Sequence, residues 1–439
     1  MELDEVLSRI ADDGIEFVRF EQSDLHGISR SKTVPARHVA GFARDGLNFL
    51  LGQLGFDAQG GVALGTPYLE ARGFPDSLLR PDPDTYAALP WAEATARLLC
   101  TPHFLDGTPV PAAPRLAMQR ACDALAEEGY LHLAGYEYEL YLVSADDRQP
   151  PFPGIQIFAT LRNNFDDAFI RRVLRSMPAV GVDVITANAE YGPGQMEINF
   201  APAVGVAAAD HAFTFKNGIK ELARHHGLMA SFMTKPYADQ SACGCHLHES
   251  LLDRETGRNA FATDDTTPGR LSAVGRWWVG GQLAHLPALT AFFAPTVNCG
   301  KRFKQWSFAP VNATWALENR SVAIRVKGLA GERLHTENRV PCGASNPYLV
   351  GAAAVAAGLD GIRNRTEPPP ALDGVAYGTE GPAAIPTRLE AALDELIATF
   401  LAVKRHEVAK AAEHVPDYGA ADWPDRVDEF ETDELFEFL

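Results

Sequence analysis

The sequence has few basic residues for its acidic content, and it has no apolar run long enough for a membrane helix. Its 39 lysines and arginines stand against 57 aspartates and glutamates, a formal net charge of −18, and such a surface repels nucleic-acid phosphates and anionic membranes. No apolar stretch reaches the roughly 18 residues of a membrane span. The N-terminus is acidic, whereas a secretion signal is cationic. We therefore expect a cytoplasmic protein with no nucleic-acid or membrane partner.

Cysteines and the common nucleotide-binding signatures are also scarce. Six cysteines in 439 residues give no disulfide framework, so free thiols are expected. The sequence contains no Walker-type phosphate loop, no dinucleotide-binding Gly-x-Gly-x-x-Gly and no Gly-x-Ser-x-Gly nucleophile elbow. Nucleotide phosphates would therefore have to be held by metal ions and arginines.

The chain divides into two regions. Residues 15–35 predict two strands around a glycine-containing turn near the N-terminus. The Pro- and Asp-rich stretch from Phe74 to Pro114 predicts extended and turn segments that could join two domains, so we expect domains of residues 1–107 and 108–439. The stretch from Arg365 to Pro386 is dense in proline and glycine and predicts a surface loop before two C-terminal helices.

A strand predicted from Leu131 to Val143 carries two carboxylates. The period of two along this segment places Glu137 and Glu139 on one face of an otherwise apolar strand. Buried carboxylates without partners would be very unfavourable, and a solvated strand face is the more common explanation for a single Glu-x-Glu. Other motifs must decide between a solvated face and a ligand site.

Further possible ligands follow in two segments. Glu190 and Glu197 flank a Gly-Pro-Gly turn that could fold them toward each other, and His246 and His248 share one strand face. Carboxylates with a histidine suit a divalent ion such as Mg²⁺ or Mn²⁺. The string Cys243-Gly-Cys-His also suggests zinc, but a structural zinc site needs a second ligand pair at wider spacing, which the sequence lacks.

Arginines in an apolar setting form the last group of candidates. Arg302, Arg320, Arg325 and Arg339 lie among Val, Ile, Phe and Ala, where guanidinium groups are suited to bidentate recognition of carboxylates or phosphates. Structural ion pairs with glutamates are the alternative. Strict alternation does not place Arg320 and Arg325 on one strand face, because they are five residues apart.

Taken in order, these motifs resemble the glutamine synthetase family, and the match extends from the N-terminal hairpin to Tyr348. The resemblance implies an α+β fold, in which a β-grasp N-terminal domain precedes a catalytic domain whose antiparallel strands form an active-site funnel. It also implies a ring-based homo-oligomer, with a dodecamer as the candidate size, and active sites shared between neighbouring subunits. The motifs are Gly135-Tyr-Glu137-Tyr-Glu139, Glu190-Tyr-Gly-Pro-Gly-Gln-Met-Glu197, Gly244-Cys-His246-Leu-His248-Glu-Ser250-Leu, and the arginine block from Asn298 through Arg339 to Asn346-Pro347-Tyr348.

The same resemblance implies a role for each site residue and at least two Mg²⁺ or Mn²⁺ ions per active site. The first ion, nearer the acyl substrate, would be held by Glu139, Glu190 and Glu197. The second, which orients the ATP phosphates, would be held by Glu137, His246 and Glu337. Arg302 and Arg339 match contacts to the substrate carboxyl groups, Arg320 and Arg325 match positions that neutralise the transferring phosphoryl group, and His248 and Ser250 match nucleotide contacts. Arg302, Arg320 and Arg339 are thus the expected catalytic arginines.

The implied reaction joins glutamate to an amine. ATP phosphorylates the side-chain carboxylate of glutamate to an acyl phosphate, and the amine then attacks it to give a γ-glutamyl amide, ADP and phosphate. Several negative charges meet in this reaction, and metal ions with fixed guanidinium groups can stabilise them.

Three departures from the family pattern indicate which branch of the family to expect. The N-terminal Asp-Gly-Ser-Ser segment of ammonia-using members is absent, and residues 46–57 occupy the comparable region. Ammonia-using members carry Gly-Tyr-Glu-Ala-Pro after Lys-Arg, and its Glu helps to bind ammonium and accept its proton; here Phe308 occupies that position. An apolar ring can pack against the carbon skeleton of a larger amine, so an organic amine or amino acid is expected. Ala242, in a segment that also departs from the pattern, is assigned to the substrate side together with Phe308. His335 stands where an ATP-contacting arginine is expected.

Two other functions stay open on the sequence alone. One is an ammonia-using glutamine synthetase whose ammonium site is built from other residues. The other is a catalytically inactive structural relative. The second is disfavoured because six buried ionisable metal ligands without a metal would be difficult to explain.

Overall fold

The computed structural model describes residues 1–66, 68–152, 154, 157–163, 167–265, 267–328, 330–389, 408–409, 412–414 and 427. The two C-terminal helices expected after Pro386 lie largely outside these residues. The segment 365–386 contains no helix or strand, in agreement with the expected loop. No helix of the described residues combines the length and the apolar character needed to cross a membrane. All six cysteines are free.

A six-stranded sheet occupies the first hundred residues, in the order β2-β1-β6-β4-β3, with β5 paired to β6. The expected hairpin is confirmed, because β1 and β2 pair antiparallel. Strand β6 pairs parallel with β1 and lies at the centre of the sheet. The elements are α1 (Leu3–Asp12), β1 (Phe17–Ser23), β2 (Ser29–Pro35), α2 (Ala36–Asp45), β3 (Leu47–Leu50), β4 (Asp76–Pro81), β5 (Ala87–Ala88) and β6 (Thr95–His103).

The stretch from Phe74 to Pro114 is therefore more than the connection that its composition predicts. It contains β4, β5 and β6, and the side chains of Leu98, Leu99 and Cys100 are buried in the protein interior. Pro81 lies at the end of β4 and Pro102 near the end of β6, where the loss of one backbone donor is tolerated, and the other prolines of the stretch lie outside these strands. The proline content alone therefore did not indicate the central strand β6.

A nine-stranded sheet forms the second part, in the order β13-β14-β15-β12-β7-β9-β8, with β10 and β11 paired to β7. Its pairings are antiparallel except for β13 with β14. The strands are β7 (Tyr130–Ser144), β8 (Val184–Ala189), β9 (Gln195–Phe200), β10 (Ala203–Val204), β11 (Leu228–Ser231), β12 (Cys245–Asp253), β13 (Trp315–Leu317), β14 (Ile324–Lys327) and β15 (His335–Asn338). The helices are α3 (Pro114–Glu127), α4 (Thr160–Asn163), α5 (Asp167–Ala179), α6 (Val206–Arg224), α7 (Ala273–Phe293) and α8 (Pro347–Asn364).

The alternation along β7 decides which face of this sheet is polar. Tyr136, Tyr138 and Leu140 are fully buried in the core, and the Tyr136 hydroxyl donates to the carbonyl of Pro347 at the start of α8 (2.8 Å). Glu137 and Glu139 point to the opposite face, because successive strand side chains alternate. The predicted placement of both glutamates on one face is confirmed.

Helices α7 and α8 pack so closely that small residues are required between them. A Cβ atom on Gly281 would lie 2.2 Å from the carbonyl oxygen of Ala357 and 2.7 Å from Cα of Gly361. Both neighbouring atoms are backbone atoms, so neither can move away without displacing a helix.

We expect Gly281→Ala to lower the free energy of unfolding by about 1–3 kcal/mol through overpacking, visible as a lower midpoint in thermal denaturation. Gly41→Ala is the matched control: Gly41 lies in α2, and a Cβ there meets nothing within 4 Å. That change should be neutral or stabilising by about 0.4–1 kcal/mol. Equal midpoints for the two variants would contradict the close packing.

Candidate active site

Two neighbouring cavities open on the polar face of the nine-stranded sheet. The first has a volume of about 270 Å³ and the second of about 500 Å³. Glu139 lines the first and Glu137 the second, so the pair on β7 faces both. The first is also lined by Glu190, Glu197, Ala242, His246, Arg302, Phe308, Arg320 and Arg339. The second is also lined by His248, Ser250, Lys327, Glu332, Arg333 and His335.

The Gly-Pro-Gly turn joins β8 to β9, so that Glu190 and Glu197 come together as the motif predicts. Glu197 lies directly opposite Glu139 in the pairing of β9 with β7. The turn is tight: Gly194 has a φ of 78°, and a Cβ on Gly192 would lie 2.0 Å from the Tyr141 hydroxyl. Three carboxylates therefore line one small cavity.

The electrostatics of these carboxylates fit a cation site. Burial and the charge of Glu139 raise the pKa of Glu190 to about 8, and burial with the charges of Glu137 and Glu139 raises the pKa of Glu197 to about 9. Like charges in a partly buried site disfavour ionisation. A divalent cation would relieve this repulsion, and three carboxylate oxygens are a suitable donor set for Mg²⁺ or Mn²⁺.

The second proposed ligand set gathers around Glu137. Nδ1 of His246 lies 2.6 Å from Oε1 of Glu137 and 3.5 Å from Oε1 of Glu337. Nε2 of His248 lies 3.3 Å from Oε2 of Glu137. Ligand atoms of Glu137, His248 and Glu337 all lie within 4.8 Å of one another. The resemblance assigns His248 to the nucleotide. Its ring nitrogen nevertheless lies as close to these carboxylates as that of a metal ligand would.

The charge states of this second cluster are suited to metal binding. Burial and the charge of Arg339 lower the pKa of His246, which favours the neutral imidazole that a metal requires. Burial disfavours charge on Glu337, but Arg339 and His246 outweigh it and lower the pKa to about 2. Burial likewise opposes ionisation of Glu137, yet its hydrogen bonds with His246 and His248 hold its pKa well below the usual range.

The four arginines do not act as one group. Arg302 is buried, and its Nη1 donates to the carbonyl of Val340 (2.9 Å). Arg339 donates from Nη1 to Glu337 (2.6 Å) and from Nη2 to the carbonyl of Phe308 (3.1 Å), while its buried Nε makes no hydrogen bond within the described chain.

The other two arginines, Arg320 and Arg325, lie in different structural elements. Arg320 is exposed on the turn between β13 and β14 and lines the first cavity. Arg325 lies in β14 and pairs with Glu318 and with Glu337 (Nη1 to Oε2, 3.1 Å). The ion-pair alternative thus describes the contacts of Arg325, and its assignment to the phosphoryl group stays a prediction.

Aromatic residues that the motifs did not single out line the first cavity beside Phe308. The rings of Phe308 and Tyr191 stack with centroids 5.8 Å apart and planes 22° apart, and Phe158 lines the same cavity. Trp306 and Phe308 have φ angles of 64° and 59°, a strained conformation for bulky residues. Tyr191 lies inside a quoted motif, whereas Phe158 had no signal in the sequence.

The second cavity contains cationic residues that the sequence reasoning also missed. Arg333 and Lys327 line it together with His335, whose ring centroid lies 5.4 Å from that of His248. Arg333 precedes His335 by only two residues. The family pattern expects an arginine at position 335. Although His335 occupies that position, Arg333 supplies a guanidinium group to the same cavity.

Comparison with known proteins agrees with this geometry. A family model described as the glutamine synthetase catalytic domain matches residues 111–420. The chain belongs to the glutamine synthetase family. It is 34% identical over 398 residues to glutamate–isopropylamine ligase of a Pseudomonas species, with 88% of this chain and 86% of that protein covered.

Two further relatives are similar over most of their length. Gamma-glutamylanilide synthase of an Acinetobacter species is 32% identical over 426 residues, which covers 90% of this chain and 84% of that protein. The solved structure of GmaS in complex with ADP superposes with a TM-score of 0.82 at 29% identity, covering 97% of this chain and 98% of that chain. The mixed α+β fold of the glutamine synthetase type is thereby confirmed.

Binding of a divalent cation should release protons in this family member. Because the pKa values of Glu190 and Glu197 are raised to about 8 and about 9, both groups hold protons at pH 7, whereas a cation binds their ionised forms. Affinity for Mn²⁺ should therefore rise from pH 6 to pH 9. Titration calorimetry in buffers of different ionisation enthalpy measures the proton release.

Glu197→Gln should weaken Mn²⁺ binding by roughly tenfold or more and reduce the proton release. Glu255→Gln, on an exposed turn, should change neither. Mn²⁺ affinity that is independent of pH in the unmodified protein would contradict the carboxylate site.

Proposed function

We propose that the protein is an ATP-dependent ligase that joins glutamate to an organic amine or amino acid through γ-glutamyl phosphate. One observation carries the proposal: Phe308, in place of a carboxylate, stacks on Tyr191 in the cavity that also holds Glu139 and Arg339. The similarity to an isopropylamine ligase and to an anilide synthase supports it.

In this proposal the two cavities hold different substrates. Glutamate lies in the first cavity, which Arg302 and Arg339 line, so that their guanidinium groups can contact its carboxyl groups. ATP lies in the second, where Lys327 and Arg333 supply positive charge beside His248 and Ser250. Arg320 reaches the first cavity from its rim. The γ-phosphate then comes to lie where the cavities adjoin, near Glu137 and Glu139.

The chemistry takes two displacements. An oxygen of the glutamate side-chain carboxylate bonds to the γ-phosphorus, and ADP leaves with the electrons of the broken P–O bond. The amine nitrogen then bonds to the acyl carbon, loses a proton, and inorganic phosphate leaves. Mg²⁺ or Mn²⁺, held by Glu139, Glu190 and Glu197 on one side and by Glu137, Glu337 and the histidines on the other, would neutralise phosphate oxygens when bound.

The aromatic wall accounts for the preferred amine. Exposed faces of Phe308 and Tyr191, which are 52% and 37% accessible, can bury the carbon skeleton of an amine and interact with a cationic group. Ammonium has no carbon skeleton to bury, and the carboxylates of this cavity are the proposed metal ligands. An ammonia-using enzyme is therefore not favoured, and the carboxylate clusters argue against an inactive relative.

We further propose that residues 1–107 form a β-grasp domain and that the protein assembles as a ring-based homo-oligomer in the cytoplasm. The six-stranded sheet ends at His103 and the next helix begins at Pro114, which supports a boundary near residue 107. Apolar side chains exposed in the first domain, including Leu64 and Leu105, are suited to contacts with a neighbouring subunit.

A panel of amines tests the proposed reaction. With Mg²⁺, ATP and glutamate present, we expect ADP release to depend on an amine, and at least one of isopropylamine, ethanolamine, aniline, a polyamine or an amino acid should exceed ammonium in kcat/KM by roughly tenfold or more. Highest activity with ammonium would refute the organic-amine assignment. Absence of turnover with every amine would refute the ligase.

The role of Phe308 has its own test. Phe308→Glu should shift preference toward ammonium and reduce kcat/KM for the best organic amine by roughly tenfold, because a carboxylate replaces apolar contact. Phe308→Leu, which keeps the apolar character, should retain the original preference. The ratio of the two kcat/KM values is measured in each variant, and an unchanged ratio in Phe308→Glu would show that this ring does not select the amine.

A further inference from the structure

A chain of buried hydrogen bonds lies behind the nine-stranded sheet, on the face away from the cavities. It runs from Nε2 of His132 to Oε1 of Glu249 (2.9 Å), from Nε2 of Gln282 to Oε2 of Glu249 (2.8 Å), and from Nδ2 of Asn338 to Oε1 of Gln282 (2.9 Å). All four residues are at most 1% exposed. The proposed reaction assigns no role to any of them.

The members of this back network come from the strands that carry the second ligand cluster. His132 lies in β7 with Glu137, Glu249 lies in β12 next to His248, and Asn338 lies in β15 next to Glu337. Neighbouring residues of a strand point to opposite faces. Each strand therefore carries a cluster residue on its front and a network residue on its back.

In the pairing of β12 with β15, residues of the ligand cluster and residues of the back network lie next to each other. His248 lies opposite Glu337, and Leu247 lies opposite Asn338. The side chain of Gln282, from α7, joins the two strands because an amide can donate and accept at once. It donates to Glu249 on β12 and accepts from Asn338 on β15. A shift of either strand would break one of these bonds.

The network continues toward the substrate arginines. Oδ1 of Asn338 accepts from the backbone N–H of Val340 (3.1 Å), and the carbonyl of Val340 accepts from Nη1 of Arg302 (2.9 Å). The backbone of Val340, the residue after Arg339, is thus fixed through both its N–H and its carbonyl. The same side chain of Asn338 contacts α7 and orders the backbone beside two site residues.

A general argument indicates that the network serves more than stability. Burying a carboxyl group is unfavourable even when it is hydrogen-bonded, and apolar residues of similar volume often stabilise a core equally well. Polar partners of metal ligands, by contrast, orient those ligands and change metal affinity when they are removed. The buried network does not bond to the ligands directly. It connects the three strands that carry them, and can orient the ligands in that way.

We propose that Glu249, Gln282 and Asn338 are positioning residues that fix the spacing of the strands bearing Glu137, His248 and Glu337. The inference rests on the proposed function in that it takes these three residues as cation ligands. Glu249 also borders the second cavity, but its carboxylate is bonded to His132 and Gln282. The three positioning residues act through the strand positions.

Mn²⁺ affinity of the full-length protein, measured by calorimetry well below the denaturation midpoint, tests this role. Gln282→Met keeps the volume and removes both bridging bonds, and we expect affinity for Mn²⁺ to fall roughly 10-fold to 100-fold. Thr290→Val is the matched control: Thr290 is buried in the same helix and its hydroxyl donates only to the carbonyl of Leu286 (2.9 Å). That change should lower the thermal midpoint without changing Mn²⁺ affinity.

A second variant guards against a failure to fold. Glu249→Met keeps the approximate volume but cannot accept a hydrogen bond from His132 or Gln282, so Mn²⁺ affinity should fall in it as well. Unchanged affinity in the folded variants, with binding by the parent intact, would overturn the positioning role alone. A parent protein that binds no Mn²⁺ would overturn it together with the metal cluster. Amine-dependent turnover of the parent tests the ligase separately.

Discussion

The concentration of carboxylates on one face of a sheet is the constraint on which the rest of the site depends. Five glutamates from four segments approach one another in a partly buried region, where Coulomb repulsion is weakly screened. Around Glu337 the repulsion is offset by Arg325 and Arg339. Around Glu190 and Glu197 it is instead expressed as raised pKa values. The carboxylates around Glu190 and Glu197 are thus left with an excess of negative charge that an added cation would neutralise. The charge of Glu337 is already neutralised by arginines.

This asymmetry suits a reaction in which negative phosphate oxygens arrive next to a carboxylate. The side with guanidinium groups is organised before any ligand binds, since Arg339 is fixed by Glu337 and by the backbone of Phe308. In the proposed function, cations would complete the other side. A preorganised site of this kind stabilises developing charge without further rearrangement. The apolar wall at Phe308 and Tyr191 borders the same space and, in the proposed reaction, would restrict what can approach the acyl carbon.

The sequence was most informative where local periodicity and local turns decide the structure. The strand expected from Leu131 to Val143 spans Tyr130–Ser144, and the turn after Glu190 forms the expected hairpin. Strand β6 was missed because its parallel partner β1 lies more than 70 residues away in the chain, which no local pattern indicates. Phe158 and Arg333 reach the cavities through loops, whose paths depend on tertiary contacts. The bonds of Gln282 likewise connect segments far apart in the sequence.

Strands β7, β12 and β15 carry site residues on one face and buried residues on the other, and this limits how the sequence of these strands can vary. Because front and back alternate at every residue, loss or gain of one codon within these strands would exchange the two faces over the remainder of the strand. Carboxylates would then enter the core and tyrosines would enter the cavity. Length variation between homologues should accordingly be confined to the connecting loops, and the spacing from Glu137 to Glu139 and from His246 to His248 should be invariant.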